Sequence, residues 1–188
     1  MSGAPMGPIA QATLDITSEI VLPEKLNTDY GLSFLGEAKE EDALAQKKAQ
    51  AKAIDDYFGK HDMPLEGMGG KMVEEALEHD LDWRLIPAIA MRESTGGKFA
   101  CKKASYNPFG WGSCKIGFNS YGHAIEIVAK NLGGKNPNTA RHYENKSTTQ
   151  ILRAYNPPSI VPRYAEQVIS IMDAIGPENA ENIKENVA

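Results

Sequence analysis

The stretch PAIAMRESTGGKFACKK, residues 87–103, decides how this chain is read. It starts apolar, in a helical pattern that we begin near Asp82. It reaches a carboxylate at Glu93 and breaks at once over Ser94, Thr95, Gly96 and Gly97. Counted from Ile86, the residues Ile89, Ala90 and Glu93 follow three, four and seven positions on, so Glu93 lies on the apolar stripe. One reading is a surface glutamate on a frayed last turn. The other is an acid kept partly dry for chemistry. A carboxylate pressed against apolar groups favours its neutral form. Such an acid holds its proton near neutral pH and gives it to a leaving oxygen.

The rarity of further carboxylates sharpens this. Ordinary glycoside cleavage uses two carboxyl groups. From Ser94 to Ala165 only Glu126 and Glu144 are acidic. Glu126 falls mid-helix beside Ile125 and Ile127, and Glu144 falls in a loop that could approach a cleft. Asp80 and Asp82 precede the Glu93 helix and suit a turn and a cap. With one acid, the substrate must supply its own nucleophile, such as an acetamido oxygen or a sugar hydroxyl.

Downstream, residues 96–117 hold a proline, five glycines and both cysteines, and read as a long structured loop with room for a short hairpin. Within it, SYNPFGWGSC (105–114) makes a tight turn at Asn107 and Pro108. Phe109 and Trp111 offer flat apolar faces of the kind that suit sugar rings. The alternative is a small apolar core, which suits Phe109 better than Trp111. Cys101 and Cys114 flank the turn, and we read them as a disulfide worth roughly 3 kcal/mol. Two free thiols, or a metal site with His123 and His142, are the alternatives, but those spacings match no zinc pattern. A disulfide places the chain in an oxidising, extracytoplasmic setting. We expect no cofactor and no metal.

Around this centre, EAKEEDALAQKKAQAKAIDDYFGK (37–60) is rich in helix formers, and a helix carrying Met72, Val73, Ala76 and Leu77 follows. Ser120 caps a helix that ends at Gly133 and Gly134. Ser147 and Gln150 form a capping-box pattern that opens LRAYNPPS (152–159). There Tyr155 and Asn156 stand at a helix end stopped by Pro157 and Pro158. A last helix starts near Pro162 and stops at Gly176. We expect a tail or linker over 1–45, one mainly α domain over 46–176 and a C-terminal tail over 177–188.

The net charge of −5 argues against a dedicated nucleic-acid binder. It is uneven, because ten Lys or Arg fall between Ser94 and Ala165. That basic half suits an anionic polymer or surface, or is simply a solvated face. No apolar run approaches the roughly 20 residues of a membrane span. No basic region followed by an apolar block marks a secretory signal.

Three segments in order carry a family resemblance: AIAMRESTGGK (88–98), NPFGWGS (107–113) and AYNPP (154–158). Together they resemble the lysozyme-like superfamily over about residues 50–176, and are most similar to bacterial cell-wall N-acetylglucosaminidases and soluble lytic transglycosylases. The resemblance implies an α-rich, two-lobed fold with a glycan cleft between the lobes. It implies Glu93 as general acid/base assisted by Tyr155, with Ser94, Asn107, Phe109, Trp111 and Asn156 as substrate-binding candidates. It implies peptidoglycan glycan strands as the partner, cleaved at a β-1,4 bond between amino sugars; a monomer is favoured, with the oligomeric state left open. NPFGWGS lacks the Leu-Met-Gln of many transglycosylases and AYNPP has prolines where those often have Ala-Gly, which favours the glucosaminidase side. A non-catalytic glycan-binding module of the same fold is the remaining alternative.

Overall fold

In the computed structural model, residues 28–177 are described, with side chains from Lys39 onward. Most of the expected N-terminal tail and the C-terminal tail beyond 177 lie outside them. Seven helices follow in order: α1 (Thr28–Gly59), α2 (Gly69–Glu78), α3 (Leu85–Ser94), α4 (Tyr121–Leu132), α5 (Ala140–Tyr143), α6 (Thr148–Tyr155) and α7 (Tyr164–Ile175). No strand occurs among the described residues, so the mainly α class holds. The chain divides into two compact units, Met1–Ala38 and Lys39–Ala188. Residues 28–38 of the first are helical, so α1 begins nine positions before the expected Glu37. The second unit holds the rest of α1 and every other helix.

Helix α3 is the centre of that second unit. Leu85, Ile86, Pro87, Ala88, Ile89 and Ala90 are all buried. The expected single stripe is therefore a helix apolar all round, which is what burial by neighbours on every side demands. It packs most extensively on α7 and also meets α2 and α4. Val168, Met172 and Ile175 face it from α7, and Ile125, Val128 and Leu132 fill the core from α4. Pro87 is tolerated because it stands in the first turn, where its missing N–H has no partner to lose.

The capping reads well at two places and differs at a third. Ser120 Oγ accepts from the His123 N–H at 3.1 Å. Ser147 and Gln150 form the full capping box. Asp82 was expected to cap α3, but the helix opens two residues later. Its carboxylate instead accepts from the Arg84 backbone at 2.9 Å and from the Arg84 guanidinium at 2.7 Å. Arg84 also donates to the Gly176 carbonyl at 3.1 Å, tying the start of α3 to the end of α7. The loop expected around Glu144 is preceded directly by the one-turn helix α5.

The hairpin foreseen in 96–117 does not form. Tyr106, Gly110, Gly112, Ser113 and Cys114 all adopt positive φ, which no paired strand accommodates. Turns take its place, held by the Cys101–Cys114 disulfide, whose Cα atoms are 5.5 Å apart.

Candidate active site

Glu93 sits in the last turn of α3, half-buried. Thr95, at φ 54°, ends the helix, and its N–H and that of Gly96 take up the carbonyls of Met91 and Ala90. Gly96 follows at φ 61°, where a Cβ would come within 2.6 Å of Met63 Sδ. Only glycine satisfies that backbone and that contact together. The chain can therefore turn away directly after Glu93, leaving the carboxylate at an open helix end.

Ser94 does not face a ligand. It is buried, and its hydroxyl lies 2.7 Å from the Pro108 carbonyl, to which it donates, while accepting from Gly97 N–H at 2.9 Å. Asn107 is likewise fully buried. Its amide donates to the carbonyls of Trp111 and Ile116, both at 2.9 Å, and its carbonyl accepts from Trp111 N–H at 3.0 Å. These two substrate-binding candidates thus shape the loop and are closed off from substrate. Phe109 is also completely buried and joins the main core, so no ring face is free for a sugar. What it offers is its carbonyl, which accepts from the Tyr155 hydroxyl at 2.5 Å.

A cleft of about 450 Å³ opens beside the acid. Glu93, Gly110, Trp111, Tyr143, Tyr155 and Asn156 are among its lining residues, with Pro157 and Ile160 beyond. Among the described residues, Glu93 is the one carboxylate in that lining. Glu144, expected near a cleft, lines a different, smaller pocket, and Glu126 faces a third.

The partner of Glu93 is not the expected one. Tyr164, at the start of α7, donates its hydroxyl to Glu93 Oε1 at 2.6 Å. Tyr155 donates to the Phe109 carbonyl, and its ring stacks on Tyr164 with centroids 6.0 Å apart and planes 9° from parallel. Trp111 leans on Tyr155 at 5.8 Å. The Arg92 guanidinium lies 5.7 Å over the Tyr164 ring and is fixed by Gln167 at 2.9 Å. Burial, and then the Glu93 charge, push the ionisation of Tyr164 far above the ordinary tyrosine range. The same two causes, in the same order, raise Tyr155. Both hydroxyls therefore stay protonated, and Tyr164 is a permanent donor to the acid.

Sequence reasoning missed Tyr164, Tyr143 and Gly110. Tyr164 stood on the apolar stripe of its helix, and nothing in that spacing separates a core tyrosine from one touching an acid. Gly110 is more legible afterwards. At φ 62° it places no side chain against Glu93, where a Cβ would stand 3.2 Å from Oε2.

Comparison of the chain with family models, curated proteins and solved structures returns no match.

Proposed function

We propose that this protein is a peptidoglycan-cleaving glycosidase of the lysozyme-like kind, acting at β-1,4 bonds between amino sugars with Glu93 as general acid/base. The observation that carries the reading is a carboxylate at the wall of an aromatic cleft, with no second one among the described lining residues, held on one oxygen by a tyrosine hydroxyl whose ionisation is pushed up by burial and the Glu93 charge. Because Oε1 accepts from Tyr164, the transferable proton belongs on Oε2, the oxygen beside Gly110. Trp111 and Tyr155 supply apolar surface for a sugar face.

That no second carboxylate lines the cleft among the described residues supports a one-acid route. Glu93 gives its proton to the glycosidic oxygen as the C–O bond breaks, and the acetamido carbonyl oxygen of the cleaved sugar closes on the anomeric carbon. Glu93, now a carboxylate, then takes a proton from the water that opens that intermediate. If the sugar's own hydroxyl replaces water, the same acid makes an anhydro end, the lytic transglycosylase outcome.

Glu93→Gln tests the reading. The variant should fold as the parent does and release fragments from purified cell walls about 10²- to 10⁴-fold more slowly. Unchanged release would sink the proposal. Mass spectrometry of the parent's fragments separates a reducing end from an anhydro end, and wall binding without fragments would mark a non-catalytic module.

A further inference from the structure

Away from the cleft, the sequence EEALEHD (74–80) brings a second set of chemistry-bearing groups together. Glu75, Glu78 and His79 follow one another at i, i+3 and i+4, on one face at the C-terminal end of α2. One donor atom from each lies within 4.8 Å of the others. Glu75 and His79 are buried, at 3% and 7% exposure, while Glu78 is exposed.

The two carboxylate oxygens of Glu75 have different fates. Lys71 holds Oε1 at 2.7 Å. Oε2 has no hydrogen-bond partner, and neither does Nδ1 of His79. A buried carboxylate oxygen without a hydrogen bond is costly. Oε2 faces His79 Nε2 at 3.4 Å, longer than a charge-assisted hydrogen bond of about 2.7–2.9 Å. Ligand bonds of about 2.0–2.2 Å at tetrahedral angles put neighbouring donors about 3.4 Å apart. The separation is that of a coordination edge.

We propose that Glu75, Glu78 and His79 bind a divalent transition-metal ion of the zinc type, through Glu75 Oε2, a carboxylate oxygen of Glu78 and His79 Nε2, with water completing the shell. An imidazole and only two carboxylates suit a borderline cation. Magnesium and calcium prefer six or more oxygens. The site opens on a pocket of about 570 Å³ that Glu126, Lys130 and Lys135 also line. Three ammonium groups, with Lys71, thus balance three carboxylates there. They compete with the ion, and the affinity is moderate and dependent on salt. His79 also lines the neighbouring pocket of about 180 Å³, where a water can accept from Nδ1–H.

The test is calorimetric titration of the full chain with zinc ion alone, near neutral pH in a non-chelating buffer. One site is expected. Glu78→Gln, an exposed change that spares the core, should weaken it at least tenfold, and His79→Gln should weaken it further. Magnesium should not bind detectably. No zinc binding by the parent chain, parental affinity in Glu78→Gln, or magnesium binding as tight as zinc would each overturn the proposal. None of these readings depends on cell-wall cleavage, so the site and the proposed activity stand or fall separately.

Discussion

The hydroxyl of Tyr164 donates to Oε1 of Glu93 at 2.6 Å, joining the start of the last helix to the end of the central one across 71 positions of sequence. That bond fixes which carboxyl oxygen faces the cleft. Tyr164 is almost fully buried, so Tyr164→Phe removes the donor and keeps the ring stack on Tyr155. Hydrogen bonds to charged groups contribute about 1.5–3 kcal/mol, and a stability loss in that range is expected from urea unfolding. Cell-wall cleavage should fall on the order of tenfold, in kcat rather than KM, because the bond holds the acid and not the substrate.

Gly110 is the other side of the acid. Gly110→Ala forces a left-handed conformation on a residue with a Cβ, costing about 1–2 kcal/mol, and sets that Cβ about 3.2 Å from Glu93 Oε2. Activity should drop by a larger factor than the thermal stability alone explains. A variant that loses stability but cleaves at the parental rate would show that the acid proton does not use this oxygen.

The Cys101–Cys114 bridge spans 13 positions. Replacing both cysteines by serine should cost about 3 kcal/mol in the chain-entropy description, or roughly ten degrees in Tm at about 2–4 °C per kcal/mol for a chain of this size. Thermal melting with and without reductant checks the same number without a mutation.

Alkaline pH should unfold the protein through its tyrosines. In the unfolded chain a tyrosine ionises near pH 10, whereas burial and the Glu93 charge hold Tyr164 and Tyr155 higher. Their contribution to stability is therefore present in full below about pH 10 and is lost as pH climbs toward the folded values. Denaturant midpoints measured across that range should fall above pH 10. They should fall less steeply in Tyr164→Phe, and tyrosinate absorbance should rise together with unfolding.

The parts that were legible in the sequence are those governed by local rules. Ser120 and the Ser147–Gln150 box announce helix starts because capping depends on a few consecutive residues. The stop after Glu93 is legible for the same reason, through Thr95, Gly96 and Gly97. Other features depend on distant neighbours. Asn107 and Ser94 entered as substrate-binding candidates through the family resemblance, which does not reveal their partners in the fold. Here those partners are the carbonyls of Trp111, Ile116 and Pro108. The resemblance implied Tyr155 as the helper of Glu93; Tyr155 lines the same cleft, but the hydroxyl bonded to the acid is that of Tyr164, and no spacing rule ranks two tyrosines in different helices. The hairpin failed because a run of left-handed residues is a backbone property that composition announces only at glycine.

The Ser94 hydroxyl gives the cleft an asymmetry of anchoring. It ties the end of the acid's helix to Pro108 and to Gly97 at once, and the disulfide and Asn107 lock the same wall from behind. These bonds tie the helix end that bears Glu93 to the Gly110–Trp111 wall. The facing turn is held by bonds within itself, from the N–H groups of Ile160 and Val161 to the Pro157 carbonyl, and it carries Ile160 in solvent. That turn is the less tied side of the cleft, a jaw set against the anvil of the wall bearing the acid.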